Sequence, residues 1–248
     1  MRVDVFFGAS SMTSADVHGR VVVVIDVLRA STTIAAALAN GARSVIPFES
    51  AEEAITRSKS FARGDYKLAG ERRNLMIPGF DLGNSPREFT REQVEGKSIL
   101  LTTTNGTAAL VAVQGAREVV VGSFVNFTAV TSLVRAAARA GNDIAILAAG
   151  NDRHFSLEDA TCAGRFVRAT MQRIPAAEFN DGASTALLLH RKYGGNLSRL
   201  FADATHGRAL VDAGFGEDLA VCGTLDAFPV VPVYQDRQIT KLGPERER

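Results

Sequence analysis

The chain has 248 residues, of which 46% are hydrophobic and 22% are charged, and its 28 Lys and Arg residues nearly balance its 27 Asp and Glu residues. These proportions are typical of a soluble globular protein. The net charge of +1 gives no reason to expect a nucleic-acid or membrane surface, because such partners usually leave a basic excess. The apolar run at residues 21–25 is far shorter than the roughly 20 residues of a membrane helix, so we expect a cytoplasmic protein.

Three segments repeat one layout, in which a short apolar run leads into a polar turn and then into a helical pattern. The runs cover residues 21–25, 99–101 and 144–147, and the turns that follow begin at Asp26, Thr102 and Ala149. Continuous apolar runs suit strands that are buried on both faces. We therefore predict an α/β fold with three α/β/α layers and a parallel-rich or mixed central sheet, as a single domain over residues 1–248 with one or two lobes.

The remaining segments carry weaker signals. Two prolines and several glycines predict an irregular loop over residues 67–91, and residues 183–190 have a helical pattern. Residues 228–234 are apolar but contain prolines, which predicts an edge strand or extended segment. The last dozen or so residues are rich in charge, and we expect them to be frayed.

The three polar turns are the candidate functional sites, because ligands of parallel sheets bind at the carboxyl ends of the strands. Asp26 ends the first strand and Arg29 follows three residues later. A carboxylate beside a cation and a helix N-terminus suits a metal ion or a phosphoryl group. An ion pair between Asp26 and Arg29 that only orders the turn is the structural alternative.

The second turn, residues 102–107, is rich in hydroxyl and amide groups, and its Gly106 permits a close approach of the backbone. Free amides at the start of the following helix would form a cradle for an anion. The turn is not a Walker sequence, because no GKS or GKT follows it. A helix cap formed by Thr104 or Asn105 is the alternative.

The third turn leads to Ser156 and Asp159, which have the spacing of a capping box, with Glu158 inside the first helical turn. These carboxylates also follow a buried strand, where they could meet Asp26 and share a divalent ion. The four histidines lack the HExxH spacing and there are two cysteines, so a zinc site is disfavoured. We expect instead a hard cation held by oxygen ligands.

Two spacings imitate known phosphatase motifs. Cys162 and Arg168 have the C-x5-R spacing of cysteine-dependent phosphatases, but both positions fall inside a predicted helix, so we assign Cys162 to packing. A phosphatase of the haloacid dehalogenase type would need a second aspartate at position 28, which is Leu28. His206 could reach a substrate or close a turn, and these two possibilities stay open.

Taken together, the motifs resemble the 2-phosphosulfolactate phosphatases (ComB type). The matching stretches run in order from about residue 20 to about residue 235: residues 24–34 (VIDVLRASTTI), 70–72 (GER), 79–86 (GFDLGNSP), 103–107 (TTNGT), 155–159 (FSLED) with 163–164 (AG), 206–207 (HG) and 218–219 (DL). Two departures stand out. Ser31 replaces the more usual Thr, and Arg73 and Asn74 stand where we expect a glycine, which leaves the substrate choice open.

The resemblance implies Mg²⁺-dependent hydrolysis of (2R)-2-phospho-3-sulfolactate to 3-sulfolactate and phosphate, a step toward coenzyme M. It also suggests a role for each candidate residue. Asp26, Glu158, Asp159 and Asp81 would hold Mg²⁺; Arg29 would neutralise the phosphoryl group; Glu71 or Asp81 would orient the attacking water; and substrate would meet Arg72, Asn84, Ser85, Thr103, Thr104, Asn105, Gly106, Thr107 and His206. Whether water or Asp26 attacks phosphorus is left open.

Two alternatives remain. The protein could be a Mg²⁺-dependent phosphatase of another small anionic phosphomonoester, or a non-catalytic module that binds anions. We expect a small anionic phosphorylated partner and neither nucleic acid nor membrane, and a homo-oligomer is not excluded.

Overall fold

The computed structural model describes residues 1–152, 154–174 and 176–243. The strands are β1 (Arg2–Phe7), β2 (Val21–Ile25), β3 (Ser44–Pro47), β4 (Tyr66–Arg72), β5 (Leu75–Met76), β6 (Ser98–Thr102), β7 (Glu118–Gly122), β8 (Ile144–Ala148), β9 (Glu178–Phe179), β10 (Pro232–Gln235) and β11 (Gln238–Lys241). The helices are α1 (Ser14–Val17), α2 (Ala30–Ala39), α3 (Ala51–Ser58), α4 (Arg91–Val94), α5 (Gly106–Ala112), α6 (Phe127–Arg139), α7 (Leu157–Met171), α8 (Asp181–Tyr193), α9 (Leu197–Asp203), α10 (Thr205–Asp212) and α11 (Gly216–Cys222), with short 3₁₀ turns at Ala9–Ser11, Pro86–Glu88 and Phe124–Asn126.

Within the described residues, the strands form one mixed sheet of eleven strands in the order β5-β4-β6-β3-β11-β10-β7-β2-β8-β1-β9. Strand β2 is buried along its whole length and pairs in parallel with β7 and β8. Its odd-numbered valines pack into one hydrophobic core with α6, α7 and α8, and its even-numbered valines pack into another core with α2 and α5. Helices therefore cover both faces, which confirms the predicted α/β/α layers.

Helix α2 is buried on every side. Residues 30–38 are each no more than 3% exposed, and the helix contacts β3, β7, β10 and β11. A helix can be buried in this way only when its polar side chains find partners inside the protein. Half of α2 is alanine, and Ser31, Thr32 and Thr33 are all hydrogen-bonded inside the protein. Four adjacent strands from the middle of the sheet thus pack against a single helix.

This arrangement explains how distant strands meet. Five steps in the strand order separate β6 from β2, which in a flat sheet would be roughly 24 Å at about 4.8 Å for each step. Yet a Cβ atom added at Gly106, just after β6, would lie 2.7 Å from Ala30 Cβ and 3.0 Å from Asp26 Oδ2. The turns that follow β2 and β6 therefore reach across the strands between them and meet beside α2, and this close contact leaves no room for a side chain at position 106.

The C-terminal hairpin differs from its prediction. Strands β10 and β11 lie inside the sheet, between β7 and β3, and pair antiparallel with both neighbours. The edge-strand prediction was wrong because Pro229 precedes β10 and Pro232 is its first residue, where a missing N–H is tolerated. The fraying prediction was wrong for residues 238–241, which form β11; its last part, residues 244–248, lies outside the described residues.

The predicted irregular loop over residues 67–91 contains strands β4 and β5 and the 3₁₀ turn at Pro86–Glu88. Gly70 had indicated a loop, but it sits at a close approach of two strands. A Cβ atom there would lie 2.2 Å from Thr102 O of β6. Glycine in a strand often marks such an approach of another backbone.

The helical predictions hold in their type. Residues 183–190 lie within α8, and α2 ends just before Asn40 and Gly41. None of the helices in the described residues combines the length and apolar character that a membrane span needs.

Candidate active site

A cavity of about 430 Å³ opens at the carboxyl ends of β2, β4, β6 and β8. Its walls come from the turns after these strands, from the segment before the 3₁₀ turn at Pro86–Glu88 and from α10. The lining residues are Asp26, Leu28, Arg29, Glu71, Arg72, Arg73, Asn74, Asn84, Thr103, Thr104, Asn105, Asn151, Asp152, His206 and Ala209. The three polar turns singled out in the sequence therefore meet in one place, as the strand-end argument predicts.

Asp26 lies at the back of this cavity and is 5% exposed. Its Oδ1 accepts the N–H of Ala30 at 3.2 Å, and its own N–H donates to Ser31 Oγ at 2.8 Å. Burial raises the pKa of Asp26 to about 6; His206 and the Ala30 N–H lower it, whereas Glu71 and Glu158 add to the rise. A cation or a proton would relieve this crowding of negative charge.

Glu71 is held by two backbone amides. Its Oε1 accepts the N–H of Thr104 at 2.8 Å, and its Oε2 accepts the N–H of Asn74 at 3.0 Å. The side chain is buried at 7% exposure, yet it lines the cavity. Glu71 thus ties the turn after β6 to the end of β4 and presents a carboxylate of fixed orientation.

The guanidinium of Arg29 is buried and already has protein partners. Nη1 donates to Asp218 Oδ2 at 2.8 Å, Nη2 donates to the carbonyl of Asn74 at 2.9 Å, and the group stacks 4.4 Å from the Phe215 ring centroid. Asp218 also accepts a hydrogen bond from Ser85 Oγ at 2.6 Å. Arg29 pairs with Asp218 rather than with Asp26, so the alternative of a turn-ordering Asp26–Arg29 pair has no counterpart in this hydrogen-bond arrangement.

The turn after β6 already has several of its amides engaged. Besides the bond from Thr104 to Glu71, the amide N–H of Thr103 donates to Thr107 Oγ1 and the amide N–H of Thr107 donates to Thr103 Oγ1, both at 3.3 Å. Asn105 Oδ1 accepts the N–H of Asp152 at 3.0 Å, which joins this turn to the one after β8. The predicted cradle is therefore smaller than a full set of free amides.

His206 is placed by α10 between two polar side chains. Its Nδ1 lies 3.5 Å from Glu158 Oε1, and its Nε2 lies 3.2 Å from Asn74 Oδ1. Burial alone would lower the pKa of His206, but the hydrogen bond and charge of Glu158, together with Asp26, outweigh it and raise that pKa. The raised pKa favours the protonated form of His206, which offsets part of the negative charge of Glu158 and Asp26.

Asp159 fastens two of the turns to each other. Its Oδ1 accepts the N–H of Val27 at 2.8 Å, and its Oδ2 accepts the N–H of Gly150 at 3.2 Å. Burial, Glu158 and Asp26 raise its pKa well above the usual value. Only half of the predicted capping box is formed: the Asp159 N–H donates to Ser156 Oγ, but the Asp159 carboxylate accepts from Val27 and Gly150 and not from the Ser156 N–H.

The predicted shell of four carboxylates is not assembled. Asp81 accepts the N–H of Leu68 and lies 3.5 Å from Lys67 Nζ, and it is not among the cavity-lining residues. Both oxygens of Asp159 face backbone amides, and Glu158 faces His206. Over the described parts of the chain, no group of three or more His, Cys, Asp or Glu side chains is arranged to hold a metal ion.

The other predicted residues divide between wall and support. Arg72 and Asn84 line the cavity, although Arg72 also donates to the carbonyl of Glu71 and to Thr102 Oγ1. Ser85 does not line the cavity, and its hydroxyl donates a hydrogen bond to Asp218 instead. Gly106 and Thr107 do not line the cavity. Thr107 is hydrogen-bonded to Thr103 of the same turn, and Gly106 allows the close packing against Asp26.

Sequence reasoning missed six lining residues. Leu28, Asn151, Asp152 and Ala209 were not proposed for the site, and Arg73 and Asn74 were noted only as a departure from the family pattern. Arg73, Asn74 and Asp152 have positive φ angles of 52°, 70° and 49°. Asn and Asp after a strand are common in such turns, and this signal could have marked two of them.

The C-x5-R spacing of Cys162 and Arg168 lies inside a helix and not in a phosphatase loop. Cys162 and Arg168 both lie within α7, as predicted, and Cys162 is fully buried. Burial, with the charge of Asp159, raises the pKa of the thiol well above its usual value. Such a thiol stays protonated and unreactive, which agrees with a packing role.

Comparison with known proteins agrees with this geometry. Residues 8–237 match the family model described as 2-phosphosulpholactate phosphatase. Proteins named "Probable 2-phosphosulfolactate phosphatase" from Symbiobacterium thermophilum and Caldanaerobacter subterraneus are 42% and 40% identical, covering 92% and 90% of this chain and 96% and 91% of those proteins. One from Clostridium beijerinckii is 34% identical over 97% of this chain and 99% of its own length. The chain therefore belongs to the 2-phosphosulpholactate phosphatase family of phosphomonoesterases.

Proposed function

We propose that the protein is a Mg²⁺-dependent phosphatase that hydrolyses (2R)-2-phospho-3-sulfolactate to 3-sulfolactate and phosphate, a step toward coenzyme M. The observation that carries the proposal is the shared cavity. It joins a crowded acidic floor, formed by Asp26 and Glu71, to a cationic rim, formed by Arg72 and Arg73, with His206 between them.

The substrate's chemistry fits this division of charge. It carries a phosphate monoester, a sulfonate and a carboxylate, so its recognition requires several local cations in a chain of net charge +1. Arg72 and Arg73 are both exposed at the cavity wall. Guanidinium groups suit the sulfonate and the carboxylate, because their paired N–H donors match groups with several oxygens.

The oxygen donors present fit Mg²⁺ with few protein ligands. Asp26 supplies a buried carboxylate, and Asn84 Oδ1 is buried and has no hydrogen-bond partner among the described residues, although Asn84 lines the cavity. Mg²⁺ usually keeps several waters and is bound by one or two carboxylates together with substrate phosphate oxygens. Asp26 and Asn84 would hold the ion, which when bound would neutralise charge on the phosphoryl oxygens.

The remaining groups position the reactants. Glu71, fixed by two amides, can accept a hydrogen bond from the attacking water, because each carboxylate oxygen accepts more than one. His206 can donate a hydrogen bond to a substrate oxygen from between Glu158 and Asn74. Hydrolysis of a phosphate monoester is very slow in water, so rigid positioning and charge stabilisation must supply most of the acceleration.

Two substitutions with the same chemical change test this assignment. Asp26→Asn should reduce phosphate release from 2-phospho-3-sulfolactate by on the order of a thousandfold, as the loss of a key electrostatic group does. Asp81→Asn should leave the rate within about twofold, because this side chain is not in the cavity wall. Equal loss in both variants, or none in Asp26→Asn, would contradict the assignment.

Metal removal is a separate test. Treatment with EDTA should abolish phosphate release, and added Mg²⁺ should restore it. Full activity after removal of metal would overturn the Mg²⁺ requirement, but the phosphatase assignment would stand.

The departure at Arg73 and Asn74 favours one second candidate, a phosphatase of another small anionic phosphomonoester. Both residues line the cavity, so they bear directly on substrate choice. A substrate panel separates the candidates: 2-phospholactate, which lacks the sulfonate, should be turned over at least about tenfold less efficiently. Comparable turnover would favour the second candidate, and ligand binding without any hydrolysis would indicate an anion-binding module.

A further inference from the structure

A second cavity, of about 340 Å³, lies between α6, α7 and α8 and shares no lining residue with the first. We call it the arginine cavity; it is lined by Phe127, Arg135, Arg165, Arg168, Ala169, Gln172, His190, Arg191, Gly194 and Gly195. Helix α7 begins beside the active-site cavity, and the nine residues from Asp159 to Arg168 correspond to about 13 Å along its axis. The two cavities are therefore separate places on the same helix.

Over residues 1–152, 154–174 and 176–243, the four arginines of this cavity have no acidic partners. None of them forms an ion pair with a carboxylate in the described residues. Other arginines of the chain do: Arg20 pairs with Asp4, Arg91 with Glu95 and Arg199 with Asp203. An unbalanced cluster of this size is costly in a concave site, since like charges repel where solvent screening is reduced.

The guanidinium groups are instead held by neutral groups. Arg135 Nε donates to the carbonyl of Ala169 at 3.1 Å, and Arg165 Nη1 donates to the carbonyl of Gly194 at 3.4 Å. Arg165 also stacks 4.8 Å from the Phe127 ring centroid. These contacts fix the positions of the two groups and leave most of their five N–H donors for a ligand.

Two polar atoms beside the cavity are buried without a partner in the described residues, Arg165 Nε and His190 Nδ1. His190 is 5% exposed, and its Nε2 lies 3.4 Å from Arg168 Nη1. Burial, together with Arg165 and Arg168, lowers the pKa of His190 to about 4. Unpaired buried donors are rare in folded proteins and point to a missing partner.

We propose that the arginine cavity binds a small anion carrying two phosphoryl groups, at a site independent of the phosphatase centre. Its volume is at the lower end of that of small-molecule sites. Four guanidinium groups converge on it, and guanidinium forks bind phosphate oxygens in pairs. A concave site of this size suits a compact ligand better than the extended backbone of a nucleic acid or a peptide.

Pyrophosphate is the direct probe. Isothermal titration calorimetry of the full chain should show two sites in the wild-type protein, one in each cavity, or one site if the phosphatase centre does not take pyrophosphate. The double variant Arg168→Ala/Arg191→Ala should lose one site or weaken it at least about tenfold, because it removes two guanidinium groups that would form charge-assisted hydrogen bonds with the anion. Both side chains are exposed, so the variant should fold.

The controls separate this site from nonspecific charge and from other ligands. Arg139→Ala, an exposed arginine of α6 outside the cavity, should bind pyrophosphate as the wild type does. Inorganic phosphate should bind at least about tenfold more weakly than pyrophosphate. Unchanged binding in the double variant, equal weakening in Arg139→Ala, or tighter binding of oligoglutamate or a short oligonucleotide than of pyrophosphate would each overturn the proposal.

Discussion

The two cavities that α7 touches treat charge in opposite ways. At its N-terminal end, the active-site cavity mixes signs: Arg29 pairs with Asp218, and His206 lies beside Glu158. Two turns further along, the arginine cavity contains cations alone, held by carbonyls and an aromatic ring. The two regions therefore differ in how their charged groups are balanced.

The difference teaches what each region can do. A cavity of balanced charge keeps its groups in fixed positions and retains reactive carboxylates, as a reaction centre requires. A cavity of unbalanced positive charge gains most when an anion arrives, as a binding site requires. Substitutions that disturb one region should therefore leave the other intact.

The largest effect is expected when one charge of a buried ion pair is removed. Asp218→Asn leaves the Arg29 guanidinium buried at 3% exposure without a counter-charge, which should reduce the free energy of unfolding by about 3–5 kcal/mol. Its neighbour Glu217 forms an exposed pair with Arg87, and Glu217→Gln should cost less than about 1 kcal/mol. Urea unfolding measures both, and similar losses would show that the buried pair contributes no more than the exposed one.

A backbone contact sets the next largest effect. Gly106→Ala inserts a methyl group between the turn after β6 and Asp26, and a displacement of about 1 Å can reduce kcat about a hundredfold. Gly243→Ala meets no atom within 4 Å and should leave kcat unchanged. A full kcat in Gly106→Ala would mean that the two turns need not be in contact for catalysis.

A smaller effect is expected at the rim of the active-site cavity. Arg73→Ala should raise KM for 2-phospho-3-sulfolactate about tenfold with little change in kcat, because an exposed rim cation stabilises substrate and transition state equally. Arg63→Ala removes an exposed arginine that does not line the cavity and serves as the control. If KM is the same in both variants, Arg73 does not bind substrate.

A fourth effect, on stability rather than on catalysis, concerns the pH dependence of the free energy of unfolding and arises at the arginine cavity. The pKa of His190 is about 4 in the folded protein and about 6.5 when unfolded. Between pH 4 and 6.5 the unfolded chain binds more protons than the folded protein. The free energy of unfolding is therefore highest above pH 6.5 and falls as the pH drops from 6.5 through 4. His190→Gln should make this fall in the free energy of unfolding shallower. If urea unfolding from pH 7 to 4.5 gives the same slope of the free energy of unfolding against pH for both proteins, His190 does not have a lowered pKa in the folded protein.

The sequence was sufficient to predict the layers and the meeting of three turns, because buried strands and capped helices follow from local patterns. It could not show that the turn after β6 contacts the turn after β2, since that depends on strand order and on the packing of α2. It also could not show the partner of Arg29, because Asp218 is distant in sequence and is brought close only by α11. The hydrogen bonds that two backbone amides donate to Asp159 could not be predicted for the same reason.

The position of the C-terminal hairpin has a consequence for synthesis. Strands β5, β4, β6 and β3 touch the rest of the sheet only through β11 and β10, which are the last strands described in the chain. While a ribosome is still translating residues 232–241, the growing polypeptide has two half-sheets whose facing edges lack their connecting strands. We expect the two half-sheets to become one continuous sheet only after these residues have left the exit tunnel.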